Sequence, residues 1–128
     1  MIDLRNRKVN GSIAAIALET AGIVVNKNGV PFDTMPPFYP SGIRLGTPAI
    51  TTRGMREEEM IKVASWINRA IEEVKGYTLP TDNGFDKLTT RQERIEFMKK
   101  FRVDVAKNKK LLEIASEVKH LCSKFPVP

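Results

Sequence analysis

The period of the apolar positions changes several times along the chain, and each change marks an element. Met1-Ile2-Asp3-Leu4 alternates apolar and polar, the pattern of a short strand. Asn10-Gly11 predicts a turn. Ser12 stands where it can cap a helix whose apolar face is Ile13, Ile16, Ala17 and Leu18. Gly22 stops that helix. Ile23-Val24-Val25 is β-branched throughout and predicts a second strand. Asn26 to Pro40 predicts a loop. Five of the eight prolines lie between residues 31 and 48, so the loop is expected to be stiff. Ile43-Arg44-Leu45 predicts a third strand. Gly42 and Gly46 bracket it, which allows sharp turns or close approach at both ends.

Thr47 to Gly54 winds towards the next helix. Thr52 and Arg53 there suit either an anion site or a surface turn that ties down the helix start. Glu57, Glu58 and Glu59 fall in the first helical turn, where carboxylates complement the helix dipole. Met60, Val63, Ala64, Ile67, Ile71 and Val74 then recur at helical spacing and predict a helix from about Arg56 to Lys75. Trp66 lies off the centre of that stripe, as a residue covering a neighbouring domain would. Gly76 ends the helix, and Tyr77 to Leu88 predicts a surface loop. Thr90-Arg91-Gln92-Glu93 has the form of a capping box. Ile95, Met98, Phe101 and Val105 make the face of the helix behind it. Asn108 interrupts, and Leu111, Ile114, Ala115, Val118, Leu121 and Cys122 predict a last helix.

These elements predict an α+β fold in which a small antiparallel sheet is covered by helices. At 128 residues the chain has the length of one domain. The division expected is a strand-and-helix core over 1–75, then a loop and two helices over 76–128 that pack back on it. The opening strand has no lead-in, which suits a piece of a longer protein. No apolar run approaches the roughly 20 residues needed to span a bilayer, and no membrane role is expected. Asp3, Arg5, Arg7 and Lys8 interrupt the N-terminus, so no signal peptide is expected. The single cysteine, Cys122, excludes an internal disulfide and fits a reducing cytoplasm. A small core residue on a helix is the expected role of Cys122. The lone histidine, His120, is expected on a helix surface, and no metal site is expected. The net charge of +6 is spread over helices and mixed with acids, so a solvated face fits better than nucleic-acid binding.

The chemistry concentrates on the third strand. Arg44 alternates with Ile43 and Leu45 and so faces away from them. Its guanidinium is a fork of donors suited to a carboxylate or phosphate. By itself it fits an exposed strand arginine or a structural ion pair better than a ligand grip. Asn28 offers a donor and an acceptor to a flat heterocycle, and its Asn-Gly step also fits a simple turn.

Ser41-Gly42-Ile43-Arg44-Leu45-Gly46-Thr47-Pro48-Ala49-Ile50-Thr51-Thr52-Arg53-Gly54 resembles the carboxylate-binding segment of serine hydroxymethyltransferase, a pyridoxal-phosphate enzyme. The resemblance begins at Ile2-Asp3-Leu4-Arg5. It runs through Gly22-Ile23-Val24-Val25-Asn26-Lys27-Asn28-Gly29-Val30-Pro31 and Pro37-Phe38, and fades after about Lys75. It implies the small C-terminal domain of the aspartate-aminotransferase-like, fold type I enzymes. It also implies one-carbon transfer from serine to tetrahydrofolate, leaving glycine. Arg44 matches the arginine that binds the amino-acid carboxylate, and Asn28 the asparagine that holds the folate pteridine. Pro36-Pro37-Phe38 matches the next folate contact. Pro36 stands where some members have serine, so a side-chain contact there would be lost and a backbone contact kept.

The resemblance further implies that pyridoxal phosphate is held mainly by a large domain absent from this chain. No residue of this chain is expected to be catalytic or to bind the cofactor, and the chain alone is expected to be inactive. The expected partners are that large domain, serine or glycine, tetrahydrofolate, and other copies in a homodimer or homotetramer. The alternative is a stand-alone, non-catalytic module that binds an amino acid or a folate, or serves in an interaction.

Overall fold

A computed structural model describes residues 1–79 and 91–128. Among these residues the fold is α+β, with a three-stranded antiparallel sheet and five α-helices. The strands are β1 (Ile2–Asp3), β2 (Asn26–Asn28) and β3 (Gly42–Arg44), in the order β1-β3-β2. The helices are α1 (Gly11–Thr20), α2 (Pro48–Thr52), α3 (Glu57–Val74), α4 (Arg91–Ala106) and α5 (Lys109–Ser123).

The register sorts the sheet into two faces. Ile2 and Lys27 pair with Ile43, whereas Asp3 and Asn28 pair with Gly42, and Asn26 with Arg44. Cross-strand partners share a face. Ile43 is fully buried. The opposite face carries Asp3, Asn26, Asn28 and Arg44, all polar. A Cβ on Gly42 would lie 2.8 Å from the Ile2 carbonyl oxygen and 3.0 Å from that of Asn28, so the central strand admits only glycine there. The close approach expected at Gly42 is present. At Gly46 the nearest atom is an ordinary 3.4 Å away.

Helix α1 is the hub. Ile13, Ala14, Ala17 and Leu18 are fully buried, and α1 packs against β2, β3, α3, α4 and α5. Asn10, not Ser12, caps it: the Asn10 Oδ1 accepts from the Ser12 N–H at 2.8 Å. The Ser12 hydroxyl is spent elsewhere, donating to the Phe38 carbonyl at 3.1 Å. Gly22 closes the helix at φ +85°.

Ile23–Val25 is not a strand. The Ile23 N–H turns back to the Leu18 carbonyl at 2.8 Å, and only Asn26–Asn28 come alongside β3. β-branched propensity describes fit to a sheet and supplies no partner.

Helix α3 matches the expected span. Its acidic first turn includes Glu59, whose carboxylate accepts from the Arg56 N–H at 2.7 Å. Its buried face is Trp66, Ile67, Ala70, Ile71 and Val74. Trp66 is only 7% exposed and belongs to the core, while Ala64 is exposed. The reason is α5, which packs on α3 and lines a groove with Trp66 through Leu121.

Tyr77 and Leu79 depart from the predicted surface loop. Tyr77 meets the Phe101 ring edge-on at 4.8 Å, and Leu79 is buried. Thr78 is exposed; residues 80–88 of that loop, and Thr90 of the predicted capping box, lie outside the described residues. In α4, Phe101 and Val105 are buried. Asn108 is the cap of α5, accepting from the Leu111 N–H at 3.0 Å and donating to Glu73 at 3.2 Å. Leu111, Ile114 and Leu121 of α5 complete the core.

Two non-glycine residues, Lys8 and Phe32, are held in the left-handed region. Phe32 has φ +57° and is 94% exposed. A non-glycine residue in the left-handed region is destabilised by about 1–2 kcal/mol. Phe32→Gly removes that strain without removing buried surface. It is expected to raise unfolding stability by about 0.5–1 kcal/mol, measured as a higher urea midpoint.

Candidate functional site

Strand β3 fixes the direction of Arg44. Its neighbour Ile43 is drawn into the core, so Arg44 is turned outwards onto the polar face, opposite Asn26. Its guanidinium has no hydrogen bond or ion pair among the described residues. It borders a shallow cleft of about 310 Å³ lined also by Val24, Val25, Asn26, Leu45 and Gly46. An exposed guanidinium with its donors free among the described residues can take a carboxylate.

Asn28 is two residues along β2 from Asn26, on the same face and opposite Gly42. Its Nδ2 donates to the Gly29 carbonyl at 2.7 Å and lies 3.1 Å from the Met1 sulfur. That leaves its Oδ1 open among the described residues. Pro36–Phe38 lie elsewhere. Pro36 is half-buried, Pro37 is exposed and Phe38 is 76% exposed. The Phe38 carbonyl accepts from Lys27 Nζ at 2.8 Å and from the Ser12 hydroxyl. Its ring lines a groove of about 700 Å³ between α1 and α4, with Lys27, Tyr39 and Arg94. The structure therefore brings Arg44 and Asn28 onto one sheet face and sets Phe38, but neither Pro36 nor Pro37, in the lining of a different groove. The Arg44 cleft includes neither Asn28 nor Phe38.

Asp33 is a residue that the sequence pattern did not single out. Its Oδ2 accepts from the Ser41 N–H at 2.8 Å and the Val30 N–H at 3.3 Å; its Oδ1 accepts from the Ser41 hydroxyl at 2.7 Å and the Met35 N–H at 2.9 Å. Partial burial pushes its pKa up, but these donors outweigh burial and hold it below the ordinary carboxylate value. Prolines remove donors, and this one carboxylate gathers three of the backbone N–H groups around the loop, those of Val30, Met35 and Ser41. An aspartate amid loop prolines was the available signal.

Arg53 resolves the choice left open at the end of that segment. Its Nε donates to the Phe125 carbonyl at 2.6 Å and its Nη2 to the Cys122 carbonyl at 3.1 Å. It ties the end of α5 to α2 and is committed to structure. Arg53→Ala is expected to lower unfolding stability by about 1–2 kcal/mol by stripping the α5 carbonyls of a charged donor. Arg53→Lys restores less than half of that loss, because one ammonium cannot serve both carbonyls. Urea unfolding of the two variants checks both values.

His120 is exposed, Cys122 is half-buried, and no cluster of metal-ligating side chains occurs among the described residues. No helix among them is long and apolar enough to cross a membrane.

The family model for serine hydroxymethyltransferase matches residues 1–67. The chain belongs to the serine hydroxymethyltransferase family. The serine hydroxymethyltransferase of Acidobacterium capsulatum is 57% identical over 72 residues, which make up 56% of this chain and 17% of that protein. The chain thus spans under a fifth of the length of this serine hydroxymethyltransferase. Arg44, Asn28 and Pro36–Phe38 all lie inside the family match, whereas α4 and α5 lie beyond it.

Proposed function

We propose that this chain is a C-terminal, small-domain part of a fold type I serine hydroxymethyltransferase. In this reading Arg44 grips the carboxylate of serine or glycine, and Asn28 with Pro36–Phe38 contributes part of the tetrahydrofolate site. The observation that carries the reading is Arg44 itself. An arginine inside the family match stands outward on the central strand, with its donors free among the described residues. Holding the carboxylate orients the amino acid; this is positioning, not proton transfer.

Pyridoxal phosphate, the family's electron sink, supplies the bond-breaking chemistry when bound. The residues present do not fit it. Every described lysine is exposed and none lines the cleft beside Arg44, so no described lysine is placed to hold the cofactor next to a bound carboxylate. The cofactor's lysine is therefore assigned to the rest of the enzyme, and the steps on the cofactor go with it. The open polar sheet face supports the same division, since it presents half of a site. An oligomer of the completed enzyme, acting in the cytoplasm, belongs to this proposal.

A second reading, a stand-alone module binding an amino acid or a folate, is favoured by the helices beyond the family match. Phe101, Leu111 and Ile114 bury fully or nearly so against the family-matched core. Mixing separates the two. The chain is combined with a large-domain segment of a serine hydroxymethyltransferase, pyridoxal phosphate and tetrahydrofolate, and conversion of serine to glycine is followed. Turnover that appears only on mixing supports the missing-part reading. Binding of glycine or folate by the chain alone, with no association and no turnover, supports the module.

A further inference from the structure

We infer that Asp33 is the positioning residue that fixes the entry of the Pro36–Phe38 segment to the start of the strand carrying Arg44. The inference rests on the folate and carboxylate roles proposed above. Val30 follows β2 and Ser41 precedes β3, and one oxygen of Asp33 accepts from both. The other oxygen accepts from Met35, immediately before Pro36, and from the Ser41 hydroxyl. The Asp33 N–H donates to the Val30 carbonyl at 3.0 Å, closing the turn that contains the left-handed Phe32. That turn brings the carboxylate back across the neck of the loop. Beyond Phe38 the chain is tied to α1 instead: Asn10 Nδ2 donates to the Tyr39 carbonyl and the Gly11 N–H to the Pro40 carbonyl, each at 2.7 Å. The Phe38 carbonyl is also held, by Ser12 of α1 and Lys27 of β2, so the exit of Pro36–Phe38 has several ties and its entry, at Met35, has the Asp33 anchor.

Only a carboxylate fits that anchor. All four contacts come from donors, three of them backbone N–H groups, and a carboxylate is acceptor-only with room for four bonds. An asparagine amide turned one way sets its NH₂ against the Val30 and Ser41 N–H groups. Turned the other way, it keeps a contact to the Ser41 hydroxyl and loses Met35. Glutamate is one methylene too long for a neck of this width. Ser41 is itself only 6% exposed, so a lost partner there is not replaced by water without opening the loop.

Arg44 should stay in place when the anchor fails, because β3 is paired on both sides. That separation makes the role testable. In the 128-residue chain, Asp33→Asn is expected to speed amide exchange at Met35 and Ser41 by about tenfold or more. Amides of α1 and α3 should exchange at the original rate. Ser41→Ala, which removes only the hydroxyl contact, should produce a smaller increase at the same two amides. Unchanged exchange at Met35 and Ser41 overturns the inference, and so does an equal rise throughout α1 and α3, which would make Asp33 a general stability residue. If Asp33→Asn does not fold, Ser41→Ala decides on the same criteria.

In the assembled enzyme, Asp33→Asn should raise the KM for tetrahydrofolate about fivefold or more and leave the KM for serine within about twofold. A rise in both, or in neither, overturns the positioning role while wild-type turnover leaves the enzyme reading intact. Failure of the wild-type assembly to turn over removes the enzyme reading alone, and the exchange result then decides.

Discussion

Arg44→Ala is expected to lower kcat/KM for serine in the assembled enzyme by about a hundredfold or more while leaving the fold of this chain unchanged. A guanidinium that holds a carboxylate with two parallel charge-assisted hydrogen bonds contributes about 1.5–3 kcal/mol through each. Two such bonds correspond to about two to four powers of ten, at about 1.4 kcal/mol per tenfold. The folded state should not register the loss. Arg44 is exposed and has no partner among the described residues, so its removal orphans nothing. The urea midpoint of the variant should match that of the parent.

Arg44→Lys sharpens the test. It keeps the charge and loses the fork, so it should recover only a small part of the lost activity. If Arg44→Ala retains more than a third of kcat/KM for serine, the carboxylate role is wrong, whatever else the chain does. Pairing kinetics with stability separates a site residue from a structural one, and Arg53 is the internal contrast. Two arginines on adjacent elements are predicted to affect opposite measurements, because one is free among the described residues and the other is bound to the carbonyls of α5.

How far the fold was legible varies by element for physical reasons. Helix α3 was readable almost to the residue. It has a strong apolar period and an acidic first turn, and both signals lie in neighbouring positions. Strand β3 was readable because Arg44 between Ile43 and Leu45 leaves only one side for the core. Strand β2 was misplaced onto Ile23–Val25, because its position depends on where β3 lies in space and not on the composition of β2 itself. The α1 cap was shifted by two residues, since both Asn10 and Ser12 are good caps and the Ser12 hydroxyl was taken by the Phe38 carbonyl, 26 residues away. Trp66 is core, and not cover for another domain, for the same reason: α5, distant in sequence, covers that side of α3. Of the candidate site, the outward direction of Arg44 could be derived from alternation alone. Asp33 could not, because its four contacts come from three residues across a loop, and no periodicity records them.

Gly11→Ala is expected to destabilise the chain by about 3 kcal/mol, against the direction that helix propensity gives. Alanine is the better helix former by about 1 kcal/mol, and Gly11 is the first residue of α1. An alanine Cβ, however, would stand 2.2 Å from the Gly42 carbonyl oxygen and 2.7 Å from that of Pro40. Both obstacles are backbone. Gly42 is locked in the central strand, and Pro40 is the acceptor for the Gly11 N–H itself at 2.7 Å. Helix α1 would have to withdraw by about 1 Å to restore ordinary contact. It cannot do so freely, because its buried residues are packed against the sheet and three other helices. Overpacking of this kind costs about 1–3 kcal/mol, and the lost hydrogen bond about 1 more. Gly76→Ala is the matched control. A Cβ there meets nothing within 4 Å, and Gly76 is not among the positive-φ glycines, so that variant should be neutral or slightly stabilised. Urea unfolding of the pair should give opposite signs or one clear null. A Gly11→Ala protein as stable as the parent would mean that α1 does not sit this close to β3, and the ties that run from its first turn to Phe38 and Tyr39 would lose their support.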